Sequence, residues 1–209
     1  MKIHEDKLLK PSELSKLRKE MSKVQDGKRY EHTLAVAYTA ANLAACHGEK
    51  ADHALVAGML HDCAKCLPEK KLLSICEKQH MQISKEEYKK PSLLHAKAGS
   101  YLAGKKYHVS DRDILNAIHN HTTGRPGMSL LEKIIFVADY MEPGRRQAPR
   151  LEQIRRTAFV DLDRAVLLIL EDTLNYLQDS DSVIEKTTQD TYEYYRERLE
   201  GGASPAGTR

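Results

Sequence analysis

Apolar positions along this chain recur at helical spacing. Leu14, Leu17, Met21 and Val24 repeat every three or four residues, which predicts an amphipathic helix. A second segment, rich in Ala and Leu, runs from about Arg29 to Cys46 and stops at His47-Gly48, a C-cap signal. Asp52 is placed to cap a third helix carrying Leu55, Val56, Met59 and Leu60, and Pro68 suits the first turn of a fourth that ends near Gln79. Ser84-x-x-Glu87, Ser110-x-x-Asp113 and Ser129-x-x-Glu132 read as capping boxes, or the Asp variant, that start helices near 85, 111 and 130. A helix from about Ser92 to Lys105 lies between the first two. Residues 150–178 hold the longest pattern, with Ile154, Phe159, Leu162, Val166, Ile169 and Leu170. A last helix, about 188–199, carries Tyr192, Tyr194 and Tyr195. No alternating strand or repeat is visible. The class expected is all-α, one domain over 1–200 of about nine or ten helices, with a small polar tail at 201–209.

Composition narrows this picture. With 209 residues the chain can bury a core without disulfide or metal staples, and 30% charged residues with 41% apolar ones argue against wholesale disorder. A net charge of +3 is too small to imply nucleic-acid binding. No apolar run reaches membrane-spanning length, and Met1-Lys-Ile-His-Glu-Asp-Lys lacks the apolar region of a signal peptide, so a cytoplasmic location with reduced thiols is expected. Cys63-Ala-Lys-Cys66 has C-x-x-C spacing but no second pair for zinc and no βαβ context for redox work, so the four cysteines read as structural.

Ten histidines, against no Trp and two Phe, stand out. His4, His47, His80 and His108 sit at termini or in polar loops, and His53 lies in a first helical turn; all five read as solvated side chains. The others have chemically loaded neighbours. His32 lies in Arg29-Tyr-Glu-His32-Thr. His61-Asp62 follows the apolar run Ala54–Leu60. His95 follows Leu93-Leu94, His119 and His121 flank Asn120, and Asp139 ends Ile134-Ile135-Phe136-Val137-Ala138. A carboxylate in so apolar a run is costly unless it is paired or binds a metal, and the same holds for Asp62. His32, His61, Asp62 and Asp139 together offer two imidazoles and two carboxylates from three helices. That set suits zinc, iron, manganese or nickel with positions left open for water and substrate. A helix-end hydrogen-bonding pair is the alternative reading of His61-Asp62.

These residues, in this order, resemble the HD superfamily of metal-dependent phosphohydrolases. Arg29-Tyr-Glu-His32-Thr, Leu60-His61-Asp62-Cys63-Ala64-Lys65, Leu93-Leu94-His95, His121-Thr122-Thr123-Gly124-Arg125-Pro126, Leu131 through Tyr140 and Glu142-Pro143-Gly144-Arg145 look like the YqeK family, the symmetrical bis(5′-nucleosyl)-tetraphosphatases of bacteria. The resemblance covers about residues 20–200 and implies the all-helical HD fold and hydrolysis of diadenosine tetraphosphate to two ADP. Carried over by motif, it implies His32, His61, Asp62 and Asp139 as metal ligands and Asp62, His95 and His121 as catalytic residues. Substrate contacts would come from Arg29, Lys65, His95, His121, Thr122, Asp139 and Arg145. His121 rather than His119 holds the motif position. The metal associated with the family is iron, with manganese, cobalt, nickel, zinc or magnesium as alternatives.

The chain departs from the family at Cys63, in lacking Phe-Pro after Arg145, and at Ile184-Glu185-Lys186-Thr187-Thr188, where the family carries Ile-His-Pro-x-Thr in a loop implied to touch the nucleoside. The expected partner is a small nucleotide rather than nucleic acid or membrane, with a homodimer through the tyrosine-bearing helix as an option. Two rivals stay open: another HD phosphohydrolase, acting on guanosine tetraphosphate, a deoxynucleoside triphosphate or a cyclic nucleotide, and a non-enzymatic nucleotide or RNA binder using Gly144 to Arg150.

Overall fold

The computed structural model describes residues 10–180 and 182–201; His4 and residues 202–209 of the expected tail lie outside that range. Among the described residues the chain forms eleven α-helices and one 3-10 turn: α1 Pro11–Val24, α2 Gly27–His47, α3 Ala51–Leu60, α4 Glu69–Lys78, α5 Lys85–Lys89, the 3-10 turn Pro91–Leu94, α6 His95–Lys105, α7 Arg112–Asn120, α8 Leu130–Met141, α9 Leu151–Ala158, α10 Leu162–Asp179 and α11 Lys186–Gly201. The all-α expectation holds.

Several expected boundaries move, each for a local reason. The pattern over 150–178 is two helices, because Asp161 turns extended and caps a new start by accepting from the Arg164 N–H. That break leaves Phe159 and Val160 exposed and raises the helix number above nine or ten. Asp111, not Ser110, caps α7, accepting from the N–H groups of Asp113 and Ile114. Lys50 precedes α3, with Asp52 inside the first turn, and Pro68 sits at the cap of α4. Ser84 and Ser129 form the two capping boxes as read. Gly48 closes α2 at φ 77°, a left-handed conformation that costs glycine little.

Two helices, α3 and α8, are buried almost all round: Ala54, Val56, Ala57, Met59 and Leu60 in the first, Leu131, Ile134, Ile135, Val137 and Ala138 in the second. A helix apolar on every face belongs at the centre of a bundle. α3 packs on α1, α2, α7 and α8, and α8 packs in turn on α2, α7, α9 and α10. One core cluster runs from Leu17 and Met21 of α1 to Tyr195 of α11. Tyr195 is thus a core residue, with Tyr192 and Tyr194 packed partly buried on the same cluster.

The α2–α3 contact sets the site's geometry. A Cβ on Gly58 would lie 2.7 Å from the Ala37 Cα, so the two backbones touch. Gly58→Ala gains about 1 kcal/mol of helix propensity but forces the helices apart, at an overpacking cost of about 1–3 kcal/mol. Denaturant unfolding is expected to show a net loss of stability; a gain would contradict this packing.

Candidate active site

Three histidines stand where helical turns end. The last carbonyls of a helix lack an intrahelical partner. Nδ1 of His61 lies 2.6 Å from the Gly58 carbonyl, Nδ1 of His121 2.7 Å from the Ile118 carbonyl, and Nδ1 of His95 2.7 Å from the Ser92 carbonyl. Each bond spans three residues, so one local device is used three times. A carbonyl only accepts, so each Nδ1 carries the hydrogen and each Nε2 is turned the other way, toward the site. His32 reaches the same arrangement differently. It projects from the body of α2, and its Nδ1 lies 3.3 Å from Oε1 of the buried Glu142.

The four Nε2 atoms converge on the carboxylates of Asp62 and Asp139. His32 Nε2 is 3.1 Å from Asp139 Oδ1 and 4.0 Å from Asp62 Oδ2. His61 Nε2 is 3.4 Å from Asp62 Oδ2, while His95 and His121 lie 3.3 and 3.6 Å from Asp62 Oδ1. The Nε2 atoms of His95 and His121 are 3.2 Å apart. His32 Nε2, His61 Nε2 and Asp62 Oδ1 are buried with no hydrogen-bond partner, despite these short approaches. Lone pairs facing carboxylate oxygens repel unless a positive charge lies between them.

Two triads of candidate ligand atoms, His32–His61–Asp139 and His61–Asp62–His121, each fit within 4.8 Å and share His61. The donor set, imidazole and carboxylate with no thiolate, fits a divalent transition ion. His121 in the second triad is an addition to the set read from sequence. The titration directions tell the same story. Burial alone would lower the His61 pKa, yet the adjacent Asp62 raises it, so the field at this ring draws positive charge, which a metal ion would supply. Burial would raise Asp62, but His61 and His121 hold it well below the usual carboxylate range; Asp139 is held down by His32 against the same opposing burial. His95 is pushed down to about 3 by burial, by His121 and by Lys65.

Cations ring this acceptor cluster. Arg29 Nη1 donates to Asp62 Oδ2 at 2.8 Å, Lys65 Nζ lies 3.3 Å from His95 Nε2, and Arg145 Nη2 donates to the Asp139 carbonyl at 3.0 Å. Arg145 Nε is buried without a partner. Thr122 Oγ1 lies 3.2 Å from both His95 Nε2 and His121 Nε2. The structure therefore gathers His32, His61, Asp62, His95, His121 and Asp139 together, with Arg29, Lys65, Thr122 and Arg145 around them. An open cavity of about 610 Å³ leads to the cluster, lined by Lys28, Arg29, His32, Glu142, Arg145 and Arg146. A smaller cavity of about 160 Å³ adjoins Thr122 and is lined by His119, Asn120, Glu185 and Thr187.

Two residues without an assigned role support the cluster. Glu142 holds His32 and accepts from the Gly144 N–H through its other oxygen. Gln25 Nε2 donates to the Asp62 carbonyl at 3.1 Å. The Glu-Pro-Gly turn is the only sequence signal for the first; Gln25 has none.

Two of the histidines read as solvated are not. His53 is buried, its Nδ1 3.5 Å from Asp111 Oδ2, because α3 packs its start on the cap of α7. His47 is half-buried, with Nε2 2.7 Å from the Ala158 carbonyl at the C-terminal end of α9. His80 and His108 are exposed, at φ 52° and 60°. His119 stays outside the central cluster. All four cysteines are free, and burial raises the Cys63 thiol to about 12, which keeps it inert.

A fold and site of this kind define an HD-type hydrolase, and residues 29–144 match the HD domain family, to which the chain belongs. It is 38% identical over 166 residues to the symmetrical bis(5′-nucleosyl)-tetraphosphatase of Bacillus subtilis (strain 168), covering 79% of this chain and 88% of that protein. It is 40% identical over 164 residues to the protein of the same name from Halalkalibacterium halodurans, covering 78% of this chain and 87% of that one. A crystal structure described as an HD superfamily hydrolase involved in NAD metabolism, from Clostridium acetobutylicum, superposes with a TM-score of 0.86 at 38% identity. It covers 92% of this chain and all of that one. HD-domain hydrolases are metal-dependent, and this chain has groups able to hold an ion. No helix among the described residues is long and apolar enough to cross a membrane.

If Glu142 sets the His32 ring, Glu142→Ala should weaken metal binding about 10–100-fold, as loss of a ligand-orienting partner generally does. Calorimetric titration of chelator-treated protein measures this; an affinity within twofold of wild type would contradict it.

Proposed function

We propose that this chain is a symmetrical bis(5′-nucleosyl)-tetraphosphatase, hydrolysing diadenosine tetraphosphate to two ADP. The observation that carries the reading is the convergent cluster of imidazole and carboxylate groups, with buried unpartnered atoms at its centre, bordered by Arg29, Lys65 and Arg145. Acceptors at the centre suit a divalent ion; cations at the rim suit a polyphosphate. The relatives' shared name supplies the substrate. The HD-domain match, with α1 and α9–α11 packed on the same core, supports a single domain over 1–200. The free exposed thiols of Cys46 and Cys66 fit a cytoplasmic setting.

His32, His61, Asp62 and Asp139 would hold the ion, with His121 close enough to join, and iron is the ion proposed. Bound there, it would supply Lewis-acid charge to a phosphoryl oxygen and lower the pKa of the attacking water. The remaining work falls to side chains. Lys65 and Arg145 grip the non-bridging oxygens of the central phosphates; Arg29, already paired with Asp62, holds that carboxylate and faces the same cavity. His121, where its Nε2 is not on the ion, is placed to accept a proton from the attacking water, and His95 Nε2, 3.2 Å away, can accept a hydrogen bond from it. The new P–O bond forms as the bridging P–O bond breaks, and the same imidazole then returns the proton to the departing ADP. Thr122 keeps both rings in register.

Asp62→Ala should abolish activity and metal content together, measured by product chromatography and elemental analysis; retained activity in metal-free Asp62→Ala would sink the mechanism. Lys65→Ala removes a charge-assisted contact of about 1.5–3 kcal/mol, which predicts a KM rise of roughly ten- to a hundredfold with kcat changed much less. Steady-state kinetics separates the two, and a loss confined to kcat would contradict the assigned role.

A further inference from the structure

A symmetrical dinucleotide presents a second problem that the acceptor cluster does not solve. Central cleavage leaves one ADP half on each side of the scissile bridging oxygen, so the protein needs two seats. The small cavity beside Thr122 is one opening near the cluster. The open cavity at Arg29 and His32 is another, and it is not a dead end. Arg145 and Arg146 line it, and both also line an adjoining cavity of about 530 Å³, walled by Pro143, Ala148, Leu151 and Gln153.

We infer that this adjoining cavity seats the second nucleoside of the dinucleoside tetraphosphate, with Arg146 as the specificity-determining residue at its entrance. The inference rests on the reading of the site given above. The arginines around the cavity divide sharply by what they already hold. Arg150 is committed: its Nε donates to Asp172 Oδ1 at 2.7 Å and its Nη2 to the Leu168 carbonyl at 3.0 Å, with Glu171 adding a second carboxylate. Arg155 is committed to the carbonyls of Met141, Glu142 and Arg145 at 3.0–3.2 Å, and so pins the Glu142–Arg145 turn. Arg145 reaches back to Asp139. Arg146 is exposed and makes no hydrogen bond or ion pair with any described residue.

A free guanidinium on the wall shared by two cavities can fork onto the outer phosphates from one side and stack on a purine from the other. Pro143, Ala148 and Leu151 give the base an apolar surface, and Gln153 offers both a donor and an acceptor to its edge. The same division of arginines disfavours RNA as the ligand of the Gly144–Arg150 stretch. Arg150 is already neutralised by Asp172 and Glu171, and the two remaining cations are a small electrostatic footprint.

Adenosine 5′-tetraphosphate is the diagnostic comparison, because it carries the same four phosphates and only one nucleoside. The wild-type chain should show a higher kcat/KM for diadenosine tetraphosphate than for adenosine 5′-tetraphosphate. Ala148→Trp, which puts a bulky ring into the cavity, should lower that ratio tenfold or more, and Arg146→Ala, on an exposed side chain that folding does not need, should lower it to a similar extent. Equal wild-type kcat/KM for the two substrates, or a ratio changed less than threefold in both variants, would overturn this inference while leaving the reading of the site intact. Absence of diadenosine tetraphosphate turnover by the metal-loaded wild-type chain would overturn both.

Discussion

The arrangement on which the rest depends is a set of acceptor atoms aimed at one another. Nδ1 of His61, His95 and His121 is tied in each case to a carbonyl three residues back, and Nδ1 of His32 is tied to Glu142. Those bonds fix the tautomers and therefore decide which nitrogen faces inward. The result is a pocket whose inward-facing lone pairs repel one another, relieved at Asp62 Oδ2, which Arg29 holds. Such a pocket is expensive to build, because buried lone pairs facing a carboxylate carry an uncompensated desolvation cost. The fold bears that cost by placing the groups at helix ends, where backbone carbonyls are free to orient them.

Packing and charge answer this constraint. The backbone contact between Gly58 and Ala37 brings α3 against α2 closely enough for His61 to meet His32, their ring centroids 5.4 Å apart. α7 and α8 deliver His121 and Asp139 from the other side of the same core. The cations then sit at the rim rather than within the cluster, so the site has a cation-seeking centre and an anion-seeking border. This layering explains how a chain of net charge +3 can serve a highly anionic substrate. The charge is local, and several other arginines and lysines are held in ion pairs, such as Arg125–Glu132 and Lys133–Asp163.

Much of this was legible in the sequence, and the reasons are specific. Helical periodicity of apolar residues marks the elements because each helix buries one face, and the capping boxes at Ser84 and Ser129 act locally. The cost of burying Asp62 and Asp139 in apolar runs is a one-dimensional signal of a three-dimensional site. What was not legible depends on tertiary contact. The burial of His53 follows from α3 meeting the cap of α7, and the break at 159–161 rests on an Asp cap that an apolar pattern masks. Gln25 supports Asp62 from a position with no motif at all. The tautomer device needs both the helix end and the ring's orientation, and spacing alone gives neither.

The central claim is that the acceptor cluster and its cationic rim act together on the middle of a tetraphosphate bridge. The most direct test is the identity of the products formed from diadenosine tetraphosphate by the metal-loaded protein, resolved by ion-exchange chromatography at early time points. The account predicts ADP as the sole nucleotide product, two for each substrate consumed. AMP and ATP in equal amounts, or an unchanged substrate, would contradict it.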